Sequence, residues 1–100
     1  MTMMTSKLLI YNYLKNICNL FPDSIVEYSF DSVSKSHNIR FNNLKIIEER
    51  PDYNTITKTL LHEFIYSYPY EDILFISEED KIDIGTAEYV ICGFDRGEGR

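Results

Sequence analysis

The sequence predicts an α+β domain: an antiparallel sheet of about four strands with two helices on one face, in the order αββαββ. Three observations carry this expectation. Two segments repeat apolar residues at helical spacing, and four others are short apolar or alternating runs of strand length. Each helical segment also ends at an aromatic–proline pair before a strand begins, Phe21-Pro22 before Ile25-Val26 and Tyr68-Pro69 before Ile73-Leu74. A sheet built of hairpins leaves one face to be covered, and the helices are the available cover. The repeated stop reads either as a trace of a duplicated αββ unit or as one punctuation used twice.

The first helix is expected over residues 6–20. Thr5 or Ser6 offers a hydroxyl to an orphan amide of the first turn. Ile10, Tyr11, Leu14, Ile17, Cys18 and Phe21 then recur on one face. Pro22 ends it, because the residue before a proline is pushed out of helical geometry. In residues 25–31 the period changes to two: Val26, Tyr28 and Phe30 alternate with Glu27, Ser29 and Asp31, as in a half-buried strand. A polar loop over residues 32–37, with His37 exposed in it, leads to a second strand over 38–44 that completes a hairpin. Leu44, Ile46 and Ile47 extend that strand or anchor the next connection.

Pro51 and Asp52 open the second helix, with Asp52 as its N-cap. Tyr53, Ile56, Leu60, Leu61 and Phe64 form its stripe, and Pro69 closes it. Residues 72–77 hold four consecutive apolar side chains, Ile73 to Ile76, which predicts a central strand buried on both faces. Residues 78–81 form a charged turn, and residues 87–92 a last strand. The domain is expected to span residues 1–92. Residues 93–100 have no apolar period and three of the four glycines, and are expected to be a flexible tail.

Composition bounds the function. The chain has 100 residues, 44% hydrophobic and 26% charged, enough to bury a core and too few for a cofactor domain plus a substrate domain. No apolar run approaches the ~20 residues of a membrane span, and the first residues lack the basic start and cleavage site of a secretory signal. The cytoplasm is therefore the expected location. Cys18 and Cys92 belong to no CxxC pair; they read as small buried hydrophobes in a reducing compartment, with a single disulfide from first helix to last strand as the alternative. The net charge of -6 argues against direct nucleic-acid binding, which needs a basic patch. The acidity lies in the second half: residues 1–50 sum to +1 and residues 51–100 to -7.

Few residues suggest chemistry. His62 and Glu63 would begin a zinc-protease motif, but position 66, which must be histidine, is Tyr66. No phosphate loop, dinucleotide fingerprint or nucleophile elbow occurs, and the acidic run lacks the spacing of a calcium loop. No catalytic residue, metal or cofactor is expected. What stands out is the density of carboxylates at Glu71, Asp72, Glu78, Glu79, Asp80 and Asp83, beside the tyrosines Tyr66, Tyr68 and Tyr70. Carboxylates along a strand and its turn can imitate a phosphate backbone, and tyrosines anchor interfaces at low entropic cost.

The expected function is thus a small, acidic, non-enzymatic protein-binding module whose partner is a basic protein. In its concrete form it blocks the nucleic-acid groove of a nuclease or similar effector. In composition only, the chain resembles bacterial immunity proteins and phage-encoded anti-defence proteins. The alternative is a self-associating module that forms a homodimer through its sheet, the 72–76 run being suited to it. An enzyme acting on a small molecule through His62 or the carboxylates ranks below both.

Overall fold

The computed structural model describes residues 5–80 and 85–92, of Cys92 the backbone alone. The proposed tail, Asp83 and any pairing of Cys18 with Cys92 lie outside the described residues. Helix α1 spans Ser6–Leu20, with the Thr5 hydroxyl accepting from the Leu8 amide at 3.1 Å. Strands β1 (Ile25–Asp31) and β2 (Ser36–Phe41) form the expected hairpin, with Tyr28 opposite Ile39 and Asp31 opposite Ser36. A single helical turn, α2 (Leu44–Ile47), buries Leu44 and Ile47 and so anchors the connection rather than prolonging β2. Helix α3 (Pro51–Ser67), β3 (Asp72–Ser77) and β4 (Tyr89–Cys92) complete the α+β fold.

The sheet order is β3-β2-β1-β4. Both β1 pairings are antiparallel, but β3 runs parallel to β2, so the sheet is mixed rather than wholly antiparallel. The cause is the length of α3. Seventeen helical residues span ~25 Å, enough to carry the chain back past a six-residue strand to the end where β2 began. The continuous apolar run of β3 therefore lies at an edge, not at the centre. Ile73 and Phe75 pack on the core and Ile76 is buried, while Asp72 is exposed and Leu74 stays 44% exposed.

Other boundaries move for local reasons. Strand β2 begins at Ser36, earlier than expected, because His37 points into the core and is fully buried. The N-cap of α3 is Arg50, not Asp52; Pro51 takes the first helical position, where a missing N–H costs nothing, and Asp52 sits in the first turn. Phe21 and Tyr68 occupy the same place, each capping a helix with its N–H on the carbonyl four residues back. Among the described residues β3 and β4 do not pair with each other, so the second half does not repeat the β1–β2 hairpin.

One core lies between the sheet and the helices. Val26 and Tyr28 of β1 and Ile39 and Phe41 of β2 face Ile10, Leu14 and Ile17 of α1 and Leu60 and Phe64 of α3. Tyr13, rather than the expected Tyr11, turns inward, and its hydroxyl is 2.7 Å from that of Thr57, joining the two helices. Cys18 is buried with its thiol 3.8 Å from the Ile91 carbonyl. Among the described residues no helix is long and apolar enough to cross a membrane. Replacing the fully buried Phe41 by Ala is expected to lower the unfolding free energy by about 3–5 kcal/mol in a urea titration. Ile46→Ala, on a 70% exposed side chain, should stay within about 0.5 kcal/mol of the parent in the same titration.

Candidate functional site

The parallel placement of β3 gathers five chain segments at one end of the sheet. Strand β1 finishes there, β2 and β3 begin there, α3 finishes there and α1 starts there, its Lys7 ammonium 5.0 Å from the Phe30 ring centre. This end carries the three most exposed large apolar side chains among the described residues: Val33 at 92%, and Tyr66 and Tyr70 at 89% each. Helical geometry explains Tyr66. It lies two positions beyond the buried Phe64, hence on the opposite side of α3 from the core. Val33 sits in the β1–β2 turn, where Asp31 accepts from its amide at 3.0 Å and Lys35 takes φ 59°. That amide bond holds the Asp31 carboxyl below its ordinary value.

Beneath this surface is a buried chain of polar groups. The Tyr28 hydroxyl is 2.6 Å from His37 Nδ1, and His37 Nε2 is 2.7 Å from Glu71 Oε1. Partial burial pushes the Glu71 carboxyl up, but the hydrogen bonds from His37 and Ser6 outweigh it and leave it below the ordinary range. An ionised Glu71 accepts only, so Nε2–H donates to it, and in the neutral imidazole Nδ1 accepts from the Tyr28 hydroxyl. Burial, with the charges of Glu88 and Glu71 nearby, holds the Tyr28 phenol protonated well above its usual range. The imidazole is packed between the Phe30 ring at 4.6 Å and the Phe64 ring at 5.5 Å.

The site residues expected from sequence divide into two groups. Tyr66, Tyr70 and Asp72 are exposed at the hairpin-turn end, near Asp31 and Glu63. Tyr68 is partly buried against Phe64, 5.5 Å between ring centres, and Glu71 is turned inward to His37. Glu78, Glu79 and Asp80 lie at the opposite end of β3, ~20 Å away for a strand of this length. There Glu79 pairs with Lys45 at 2.7 Å, and Asp80 accepts from the Ser77 amide at 3.0 Å, closing the turn. Glu78 lines a shallow groove of about 200 Å³ with Ile25, Glu27, Arg40 and Asn42.

Sequence reasoning missed Val33 and His37. An apolar residue in an otherwise polar hairpin tip was the available signal for the first, and the odd-numbered alternation of His37, Ile39 and Phe41 for the second. His62 and Glu63 are exposed on α3. Among the described residues no three His, Cys, Asp or Glu side chains converge to hold a metal. Compared with protein families, with characterised proteins and with solved structures, the chain matches none.

Because the folded Glu71 carboxyl lies below its unfolded value, its pairing stabilises the fold fully above pH 4.5, the ordinary glutamate value. That contribution is lost as the pH falls through the lowered, folded value. Thermal unfolding of the parent and of Glu71→Gln, measured along an acid series, should show a steeper loss for the parent over this window. Parallel curves would mean that the carboxylate charge does not support the fold.

Proposed function

We propose that the chain is a small, non-enzymatic protein-binding module that docks a basic protein surface with the end carrying Val33, Tyr66 and Tyr70. The observation that carries this reading is their exposure: three large apolar side chains left in water at one end of the fold. Tyr13, Tyr28 and Tyr53 bury their rings, so the fold has room for tyrosine inside and yet leaves Tyr66 and Tyr70 out. Exposed aromatics clustered within a polar rim are the usual anchors of interfaces.

The rim sets the partner's charge. Asp31, Glu63 and Asp72 stand around the aromatic end against the exposed Lys35 of the hairpin turn, while Lys7 is engaged by Glu88 at 3.3 Å. Rim carboxylates steer a basic partner and fix its orientation, and the rings supply most of the affinity. A groove that normally holds nucleic acid meets these requirements, which is why a nuclease or comparable effector is the partner class we favour. A non-enzymatic role is supported by the His37–Glu71 pair at this end: both imidazole nitrogens are occupied and the ring is fully buried.

The test is affinity capture from lysate of the cell that makes the protein, treated with nuclease, comparing the parent with Tyr66→Ala/Tyr70→Ala. The parent should retain one basic protein, and the double variant should bind it ~30-fold or more weakly, the loss expected from truncating one anchor. Because both rings are exposed, the variant's unfolding free energy should change by less than about 0.5 kcal/mol per site. Equal recovery by the folded variant would overturn the reading. Glu63→Lys/Asp72→Lys should slow association and flatten its salt dependence.

A further inference from the structure

The outer edge of β3 carries a second surface. The Asp72 amide donates inward to the Lys35 carbonyl at 2.9 Å, so Asp72, Leu74 and Ile76 bond toward β2, and the residues between them point their backbone groups outward. The two ends of this edge are closed: the Glu71 amide donates to the Tyr68 carbonyl at 3.1 Å, and the Ser77 amide donates to Asp80 at 3.0 Å. Between them, Ile73 and Phe75 present N–H and C=O groups that no described residue pairs. An apolar edge strand with free backbone groups is a template for another strand.

We propose that this edge binds a second copy of the same chain, β3 against β3 in antiparallel sense, with Leu74 on the two-fold axis. Only one register joins the unpaired groups to each other. Ile73 of one copy opposes Phe75 of the other and exchanges two hydrogen bonds with it, and the symmetric pair does the same, so all four outward groups on each copy are used. A shift of two residues in either direction sets an unpaired residue against Glu71 or Ser77, whose amides are already bonded. Charge selects the same register. It sets Asp72 against Ile76, Glu71 against Ser77 and Tyr70 against Glu78, with no carboxylate facing another. The shift toward Ser77 would instead oppose Asp72 to Glu78 and Glu71 to Glu79. Leu74, 44% exposed in one chain, meets its own copy at the axis, where cross-strand side chains approach most closely.

This arrangement also completes the surface described above, and that part rests on the docking reading. In one chain the tyrosine end and the Glu78–Asp80 turn are a strand length apart. In the antiparallel pair, the tyrosine end of each copy lies beside the acidic turn of the other. The two-fold thus assembles from two chains the acidic and aromatic surface that neighbouring sequence positions imply and a single chain does not form.

Sedimentation equilibrium of the full chain at physiological salt, from micromolar to submillimolar concentration, tests the pairing. The parent should be a dimer whose Tm rises with concentration, and Leu74→Lys, which places like charges at the axis, should be a monomer with unchanged circular dichroism and a Tm independent of concentration. Under mild oxidation Leu74→Cys should form an interchain disulfide that the parent does not, while Asp72→Cys, opposite Ile76, should not. A monomeric parent, a dimer that survives Leu74→Lys, or equal cross-linking at the two positions overturns the proposal. So does a monomeric parent whose Ile73 and Phe75 amides become protected from exchange by an oligolysine peptide, which would assign the edge to a foreign strand. Capture of the basic protein by monomeric Leu74→Lys at parental strength would overturn the composite surface alone. Failure of the tyrosine test with the dimer intact would overturn the docking reading alone.

Discussion

His37 is the constraint around which one end of the molecule is organised. An imidazole with no solvent contact must find partners for both nitrogens, because a buried polar atom left unpaired costs about 1–3 kcal/mol. The partners come from different segments: Tyr28 from the middle of β1, and Glu71 from the turn that precedes β3. Ser6, at the start of α1, adds a hydrogen bond to the same carboxylate. Glu71 immediately precedes Asp72, whose amide makes the first bond of the parallel ladder, so the side-chain network and the β2–β3 register meet at adjacent residues. The exposed Tyr70 is next to this anchored position, which ties the candidate binding surface to the buried network.

The sequence was most legible where a single period governs. Helix α1 and strand β1 have the bounds that apolar spacing predicts, since in each the apolar residues that set the period are mostly the buried ones. It was less legible where a residue departs from its usual role. His37 reads as polar loop, which predicts a later start for β2 than Ser36, although the His37 side chain belongs to the core. Strand β3 reads as central because four apolar residues follow one another, yet the run does not specify on which side a neighbour lies. Its parallel direction depends on where α3 returns the chain, a matter of helix length against strand length that local pattern does not contain. Of the residues expected at the candidate site, Tyr66, Tyr70 and Asp72 lie exposed at one end, whereas Tyr68 packs on Phe64. The sequence was misleading in its acidic run, because a strand separates in space what is adjacent in sequence.

Net charge counts carboxylates that the fold itself uses. Several have structural duties that use their charge locally. Asp31 closes the hairpin turn, Glu71 holds His37 and Asp80 ends β3. Glu88 accepts from the Phe30 amide at 3.2 Å, closing the stretch of β1 that β4 is too short to cover, and Lys7 neutralises it. Such groups are already partnered and have less to offer a basic surface than their number suggests. Exposed charge pairs contribute little energy in water, whereas an aromatic ring removed from water contributes through its area. The proposed basic partner therefore rests on the rim carboxylates with no ion pair among the described residues, Glu63 and Asp72. The proposed anchoring rests on Tyr66 and Tyr70, whose rings the fold leaves in solvent although it packs chemically identical rings inside.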